Sequence, residues 1–100
     1  MDYLPIFVDL RDRLVVVVGG GVVALRKIEH LLKVHAQVRV VAPELHDDLI
    51  VARDAGRLAH VPVAFNPAQL EGAALVIAAT DDEAVNEAVS QAARRRGIWV

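Results

Sequence analysis

The sequence of 100 residues contains no cysteine. That absence excludes disulfides, thiolate metal ligands and a cysteine nucleophile, and it agrees with a reducing compartment, the cytoplasm. Aromatic residues are scarce, 4% of a chain that is 55% hydrophobic, so the core must be built of Val, Ala, Leu and Ile. Excess basic charge is missing too. With a net charge of −2 the chain has no overall field to attract nucleic acid, and none is expected as a partner. No apolar run approaches the ~20 residues that cross a bilayer. Asp2 and Pro5 stand where a secretory signal would place a basic and then an apolar region, so no membrane association is expected. Metal-ligand spacing is lacking among His30, His35, His46 and His60. They read as surface residues, and no protein-bound metal is expected. No Ser-His-Asp arrangement can be drawn.

What is present is a succession of valine-rich runs and alanine- or leucine-rich helical patterns. The chain is long enough for one domain, burying roughly two-thirds of its unfolded surface. The alternation predicts an α/β fold, a Rossmann-like doubly wound parallel sheet covered by helices. Leu4 to Leu10 reads as a brief strand or extended arm, and Arg11-Asp12-Arg13 as a charged turn. Leu14 to Val18 is a strand buried on both faces. Behind Gly19-Gly20-Gly21 an amphipathic helix begins, with Val23, Ala24, Ile28, Leu31 and Leu32 on its apolar face. A second strand covers Val38 to Ala42. Pro43 stops it, and Glu44 opens a second helix that ends at Gly56. A third strand, Leu58 to Val63, contains Pro62 and therefore belongs at a sheet edge, as the strand order 3-2-1 requires. After the Asn66-Pro67 turn comes at most one helical turn, Ala68 to Leu70.

A fourth strand runs from Ala74 to Ala79. Thr80-Asp81-Asp82-Glu83 matches a capping box, with Thr80 at the cap and Glu83 reaching back. The helix behind it is expected to bury Ala84, Val85, Ala88, Val89, Ala92 and Ala93. Gly97 ends that helix, and Ile98-Trp99-Val100 begins a fifth strand. An apolar strand does not normally end a domain after three residues. The expectation is therefore a fragment, 1–100, of a longer protein, truncated in its fifth strand.

The chemistry converges on the glycines. Gly19-x-Gly21-x-x-Ala24 fits the dinucleotide fingerprint. Gly19 permits the tight turn, Gly21 lets a pyrophosphate approach the backbone, and Ala24 lets helix and strand pack closely. Gly20, Val22 and Val23 complete the turn, whose N–H groups and helix dipole suit a phosphate. No acid stands at the end of the second strand, where one usually holds the ribose of NAD. Glu44, just past Pro43, is the nearest carboxylate. It either reaches the ribose or simply occupies the first turn of a helix, and both readings stay open. No arginine lies between Pro43 and Asp48 to meet a 2′-phosphate, so NAD is expected in preference to NADP. Thr80 is placed at the same cleft edge, and Asp82 reads as a helix-cap acid. Arg26 and Lys27 read as a solvated helix face, and Arg94 to Arg96 as basic residues suited to a helix C-terminus.

Leu4-Pro5-Ile6-Phe7, the Leu10-Arg11-Asp12-Arg13 turn, Val18-Gly19-Gly20-Gly21, Val23-Ala24-x-Arg26-Lys27, Ala42-Pro43 and Ala78-Ala79-Thr80-Asp81-Asp82-x-x-Val85-Asn86 together resemble the N-terminal domain of siroheme synthase. The resemblance covers the whole chain in order. It implies a precorrin-2 dehydrogenase and sirohydrochlorin ferrochelatase module. Such a module oxidises precorrin-2 to sirohydrochlorin with NAD and then inserts Fe²⁺ as a substrate, in siroheme biosynthesis. It also implies a homodimeric parent protein. The family's cofactor contacts fall on Val22, Val23, Pro43 and Glu44. Its principal catalytic aspartate would lie beyond Val100, so no catalytic residue is assigned and the fragment alone is expected to be inactive. Two other readings are a nucleotide-sensing Rossmann domain of a transport regulator, which usually carries a clear acid after its second strand, and a purely structural Rossmann domain.

Overall fold

A computed structural model describes residues 6–100; Leu4 and Pro5 of the expected N-terminal arm lie outside the described residues. The sheet has four parallel strands, β1 (Leu14–Val18), β2 (Gln37–Val41), β3 (Ala59–Val61) and β4 (Leu75–Ala78), in the order β3-β2-β1-β4. The helices are α1 (Val22–Lys33), α2 (Asp47–Asp54) and α3 (Glu83–Arg95), with a short 3₁₀ turn at Pro67–Leu70. The doubly wound α/β expectation is met.

The reason lies in β1. Val15, Val16 and Val17 are completely buried, which requires a layer on each face of the sheet. Val15 and Val17 pack with Ala24, Ile28 and Leu31 of α1 and Leu49 and Ala52 of α2. Val16 and Val18 pack with Leu70 of the 3₁₀ turn and Val89, Ala92 and Ala93 of α3. Alternate residues of one strand thus feed two separate cores. Truncating one of the large fully buried side chains, such as Ile28, to Ala would cost about 2–5 kcal/mol.

Several expected boundaries move, each for a local reason. Residues 6–10 form no strand; Ile6, Phe7 and Val8 are exposed. The second helix starts at Asp47 instead of Glu44, because Glu44 and Leu45 form a loop beneath Gly20 and His46 caps the helix. Pro62 follows β3 instead of lying within it, since a residue without an N–H cannot continue the ladder. β3 is the edge strand all the same. The cap of α3 is Asp82, not Thr80: Asp82 Oδ1 accepts from the N–H groups of Ala84 (2.9 Å) and Val85 (3.3 Å). Val23 is exposed because it lines the open cleft instead of the core, and Ala84 and Ala88 are exposed on α3. The expected fifth strand is a single parallel bridge, Leu75 to Trp99, closed by Val76 N–H donating to Trp99 O at 2.8 Å. No helix of the described residues is long and apolar enough to cross a membrane.

Candidate functional site

α1 and α2 cover one face of the sheet while α3 and the 3₁₀ turn cover the other. The winding therefore reverses between β1 and β4, and a crevice opens beyond the carboxyl ends of those strands. It is a cleft of about 680 Å³, within the range of roughly 300–1,000 Å³ that small-ligand sites occupy. Its floor is made of strand ends, Val18, Val41 and Ala79. Its rim is the turn Gly19 to Val23, the loop Pro43 to His46, Ala64 and Phe65 after β3, and Thr80, Asp81 and Val85 after β4. Gly19, Gly20, Gly21, Val22, Val23, Pro43, Glu44 and Thr80, all expected from the sequence, come together here. Ala24 does not line the cleft. It is completely buried under the turn, where its small side chain admits α1 close to β1.

The three glycines differ in what requires them. Gly19 has φ 130°, and a Cβ there would collide with the Ala79 carbonyl; its N–H donates to Val41 O at 3.0 Å. A Cβ on Gly20 would collide with the Glu44 carbonyl, and Gly20 O accepts from His46 N–H at 2.6 Å. These two glycines let the turn lie flat against its neighbours. Gly21 has an ordinary extended conformation, φ −96°, and a Cβ there would meet nothing within 4 Å. Internal packing gives Gly21 no reason to be glycine. The open space beside it is room for a group brought in from outside.

Helix ends separate in the same way. His46 Nδ1 caps α2, accepting from Asp48 N–H at 3.1 Å, and Asp47 and Asp48 fill its first turn. Asp82 caps α3, with Glu83 behind it. The N-cap of α1 is Gly21, which offers no side chain, and no acid lies in its first turn. Of the three α-helices among the described residues, α1 alone leaves its first N–H groups and the positive end of its dipole without a capping side chain, and that end lines the cleft. This suits an anion. Open space at Gly21 and an uncapped α1 together fit the pyrophosphate of a dinucleotide.

Thr80 lines the cleft, yet its hydroxyl is engaged within the protein. It donates to Asn86 Oδ1 at 2.6 Å and accepts from Asp82 N–H at 3.1 Å. Asn86 Nδ2 donates back to Thr80 O at 3.0 Å. The pair clamps the loop between β4 and α3, so the shape of that rim is fixed before any ligand arrives. The opposite rim has its own strut. Arg53 of α2 donates from Nη1 to His60 Nδ1 (3.2 Å), which leaves the proton on Nε2 to be donated to Ala42 O at 2.8 Å. Ala42 directly precedes Pro43 and Glu44.

Leu45, His46, Ala64, Phe65 and Val85 also line the cleft, beyond the residues expected from the sequence. For His46 a signal existed: a polar residue followed by Asp47-Asp48 marks a helix start. Ala64 and Phe65 arrive from a loop after the edge strand, which no local pattern places.

Comparison with known proteins agrees with this geometry. A family model described as "Putative NAD(P)-binding" matches residues 6–100. The chain is 55% identical over 100 residues to a siroheme synthase of Methylobacillus flagellatus, covering all of this chain and 21% of that protein. It is 50% identical over 93 residues to a siroheme synthase of Actinobacillus pleuropneumoniae, covering 93% of this chain and 19% of that protein. The chain thus spans about a fifth of the length of these relatives. Among solved structures it resembles "SirC, precorrin-2 dehydrogenase", with TM-score 0.82 and 32% identity over 88% of this chain and 44% of the other.

Proposed function

The chain belongs to the NAD(P)-binding family matched over residues 6–100, and from that premise we propose that it is the dinucleotide-binding portion of a siroheme synthase. Its activity is NAD-dependent oxidation of precorrin-2 to sirohydrochlorin, followed by insertion of Fe²⁺ as substrate. The observation that carries the reading is the cleft itself. Its turn has one glycine that internal packing does not require and one helix end left uncapped, and it lies in a chain half identical to siroheme synthases.

Gly21, Val22 and Val23 hold the pyrophosphate through backbone N–H groups, without a side-chain charge. Gly19 and Gly20 shape that turn. Pro43 and Glu44 face the adenosine ribose, where the Glu44 carboxylate accepts from a hydroxyl. In NADP that 2′-hydroxyl is a phosphate ester, which offers no proton and repels the carboxylate, and no arginine or lysine lies between Pro43 and Asp48. NAD is the cofactor on this account. Held there by Gly21, Val22, Val23 and Glu44, the cofactor would supply a hydride acceptor for oxidation of the tetrapyrrole. Val18, Ala79 and Val85 provide an apolar wall, and the Thr80–Asn86 clamp holds the rim beside it. Asp82 is committed to capping α3, and no catalytic base is assigned to it or to Asp81.

Such an enzyme works in the cytoplasm as a homodimer. The test supplies precorrin-2 and either NAD or NADP to the full-length protein that contains this chain, reading reduced cofactor by its ultraviolet absorbance and sirohydrochlorin by its visible spectrum; the 100-residue chain by itself is expected to bind the cofactor without turnover. Cofactor titration by calorimetry accompanies it. Tighter binding of NAD than NADP is expected. A protein that binds neither cofactor refutes the proposal.

A further inference from the structure

His46 does two things at once. Its backbone N–H donates to Gly20 O in the glycine turn, and its side chain caps α2 through Nδ1. Capping fixes the state of the ring. Nδ1 must present a lone pair to Asp48 N–H, so the single proton of the neutral imidazole sits on Nε2. Among the described residues, no protein group pairs with Nε2. The side chain is 34% exposed, and His46 lines the cleft two residues beyond Glu44. His46, a donor of fixed tautomer, thus lines the same cleft as Glu44.

We propose that His46 is a cofactor-binding residue whose Nε2–H donates to the adenosine ribose, opposite the acceptor at Glu44. Vicinal ribose hydroxyls each donate and accept, so one donor and one acceptor on the protein satisfy them better than two acceptors would. The ring is held in place before the ligand arrives, by its own helix cap and by the Gly20 bond, so little rotamer freedom is lost on binding. The inference rests on the reading of this cleft as a dinucleotide site. It adds a residue drawn from the α2 cap to those the glycine fingerprint supplies.

The test separates capping from binding. Serine is a good N-cap but cannot reach as far as Nε2 does. His46→Ser is therefore expected to retain the melting temperature while weakening NAD binding about 3- to 10-fold, the worth of one hydrogen bond. His46→Ala is expected to lose both. Nitrogen NMR of the wild-type protein supplies a readout independent of affinity. It should show His46 protonated at Nε2 and bare at Nδ1, with Nε2 shifting when NAD is added. Unchanged NAD affinity in His46→Ser overturns the proposal, and so does a proton on Nδ1. If the wild-type protein binds NAD and only the His46 results fail, the dinucleotide reading survives. If wild type binds no nicotinamide cofactor at all, that reading falls and the role of His46 falls with it.

Discussion

Substituting alanine at Gly19 and at Gly21 should produce opposite phenotypes, although the two glycines are two residues apart. At Gly19 the methyl group enters the left-handed region at φ 130° and collides with the Ala79 backbone. Backbone strain of this kind costs about 1–3 kcal/mol, and forcing an atom into filled space adds about 1–3 kcal/mol more. A domain of this size has about 5–15 kcal/mol of stability. Each kilocalorie moves its melting point by roughly 4–8 °C. Gly19→Ala should therefore melt at least ~10 °C lower, and it should pry β1 from β4 at their carboxyl ends. Gly21→Ala meets no atom within 4 Å. Its small loss as an N-cap is offset by the reduced entropy of the unfolded chain, so stability should stay within about 0.5 kcal/mol. Its methyl group instead occupies the space a pyrophosphate would use, and NAD affinity should fall at least ~10-fold. Differential scanning calorimetry and NAD titration on the same samples decide the matter. Equal melting points for Gly19→Ala and wild type would refute the steric account. Wild-type NAD affinity in Gly21→Ala would refute the functional one.

Asp82→Ala should lower stability by about 1 kcal/mol through loss of the α3 cap, and Asp82→Ser should restore most of it; chemical denaturation measures both. Glu44→Arg should reverse the cofactor preference, strengthening NADP relative to NAD, as read by paired calorimetric titrations. The Arg11 side chain and backbone N–H both donate to Asp9 and lower its pKa from 3.8 to about 2. A folded-state pKa below the unfolded value gives stabilisation that is present above about pH 4 and lost as pH falls toward 2. Because the pair is fully exposed, solvent screens it. Carbon NMR should find the Asp9 midpoint near 2 and, in Arg11→Gln, back toward its ordinary value, with little change in melting point.

Much of this arrangement was legible in the sequence. Four consecutive valines followed by three glycines specify a doubly buried strand and a turn without side chains, and Pro62 specifies an edge. Less was legible where two residues compete for one role. Thr80 and Asp82 are both good caps, and only the exit of β4 decides between them: Thr80 is spent on Asn86, so Asp82 faces the helix. Val23 has helical spacing with Ile28, but periodicity does not reveal that the first turn of α1 faces an open cleft. Glu44 resembles a first-turn acid, yet the close approach of Gly20 to its carbonyl keeps the segment a loop until His46. Each miss concerns where one element meets another, which local pattern does not encode.

The strand order also governs how the molecule assembles. Pairing β1 with β2 joins residues 23 apart, as in Leu14 with Gln37. Pairing β1 with β4 joins residues 60 apart, as in Val15 with Leu75. The longer closure costs about 0.9 kcal/mol more in chain entropy, and it rests on contacts that form between distant segments. The half made of β3, β2 and β1 can therefore precede β4, but the cleft cannot. Gly19 and Thr80 stand on opposite sides of that final seam, so a half-folded chain has only one wall of the site. A dinucleotide then recognises the finished molecule alone, and its whole binding free energy acts to keep the last seam closed.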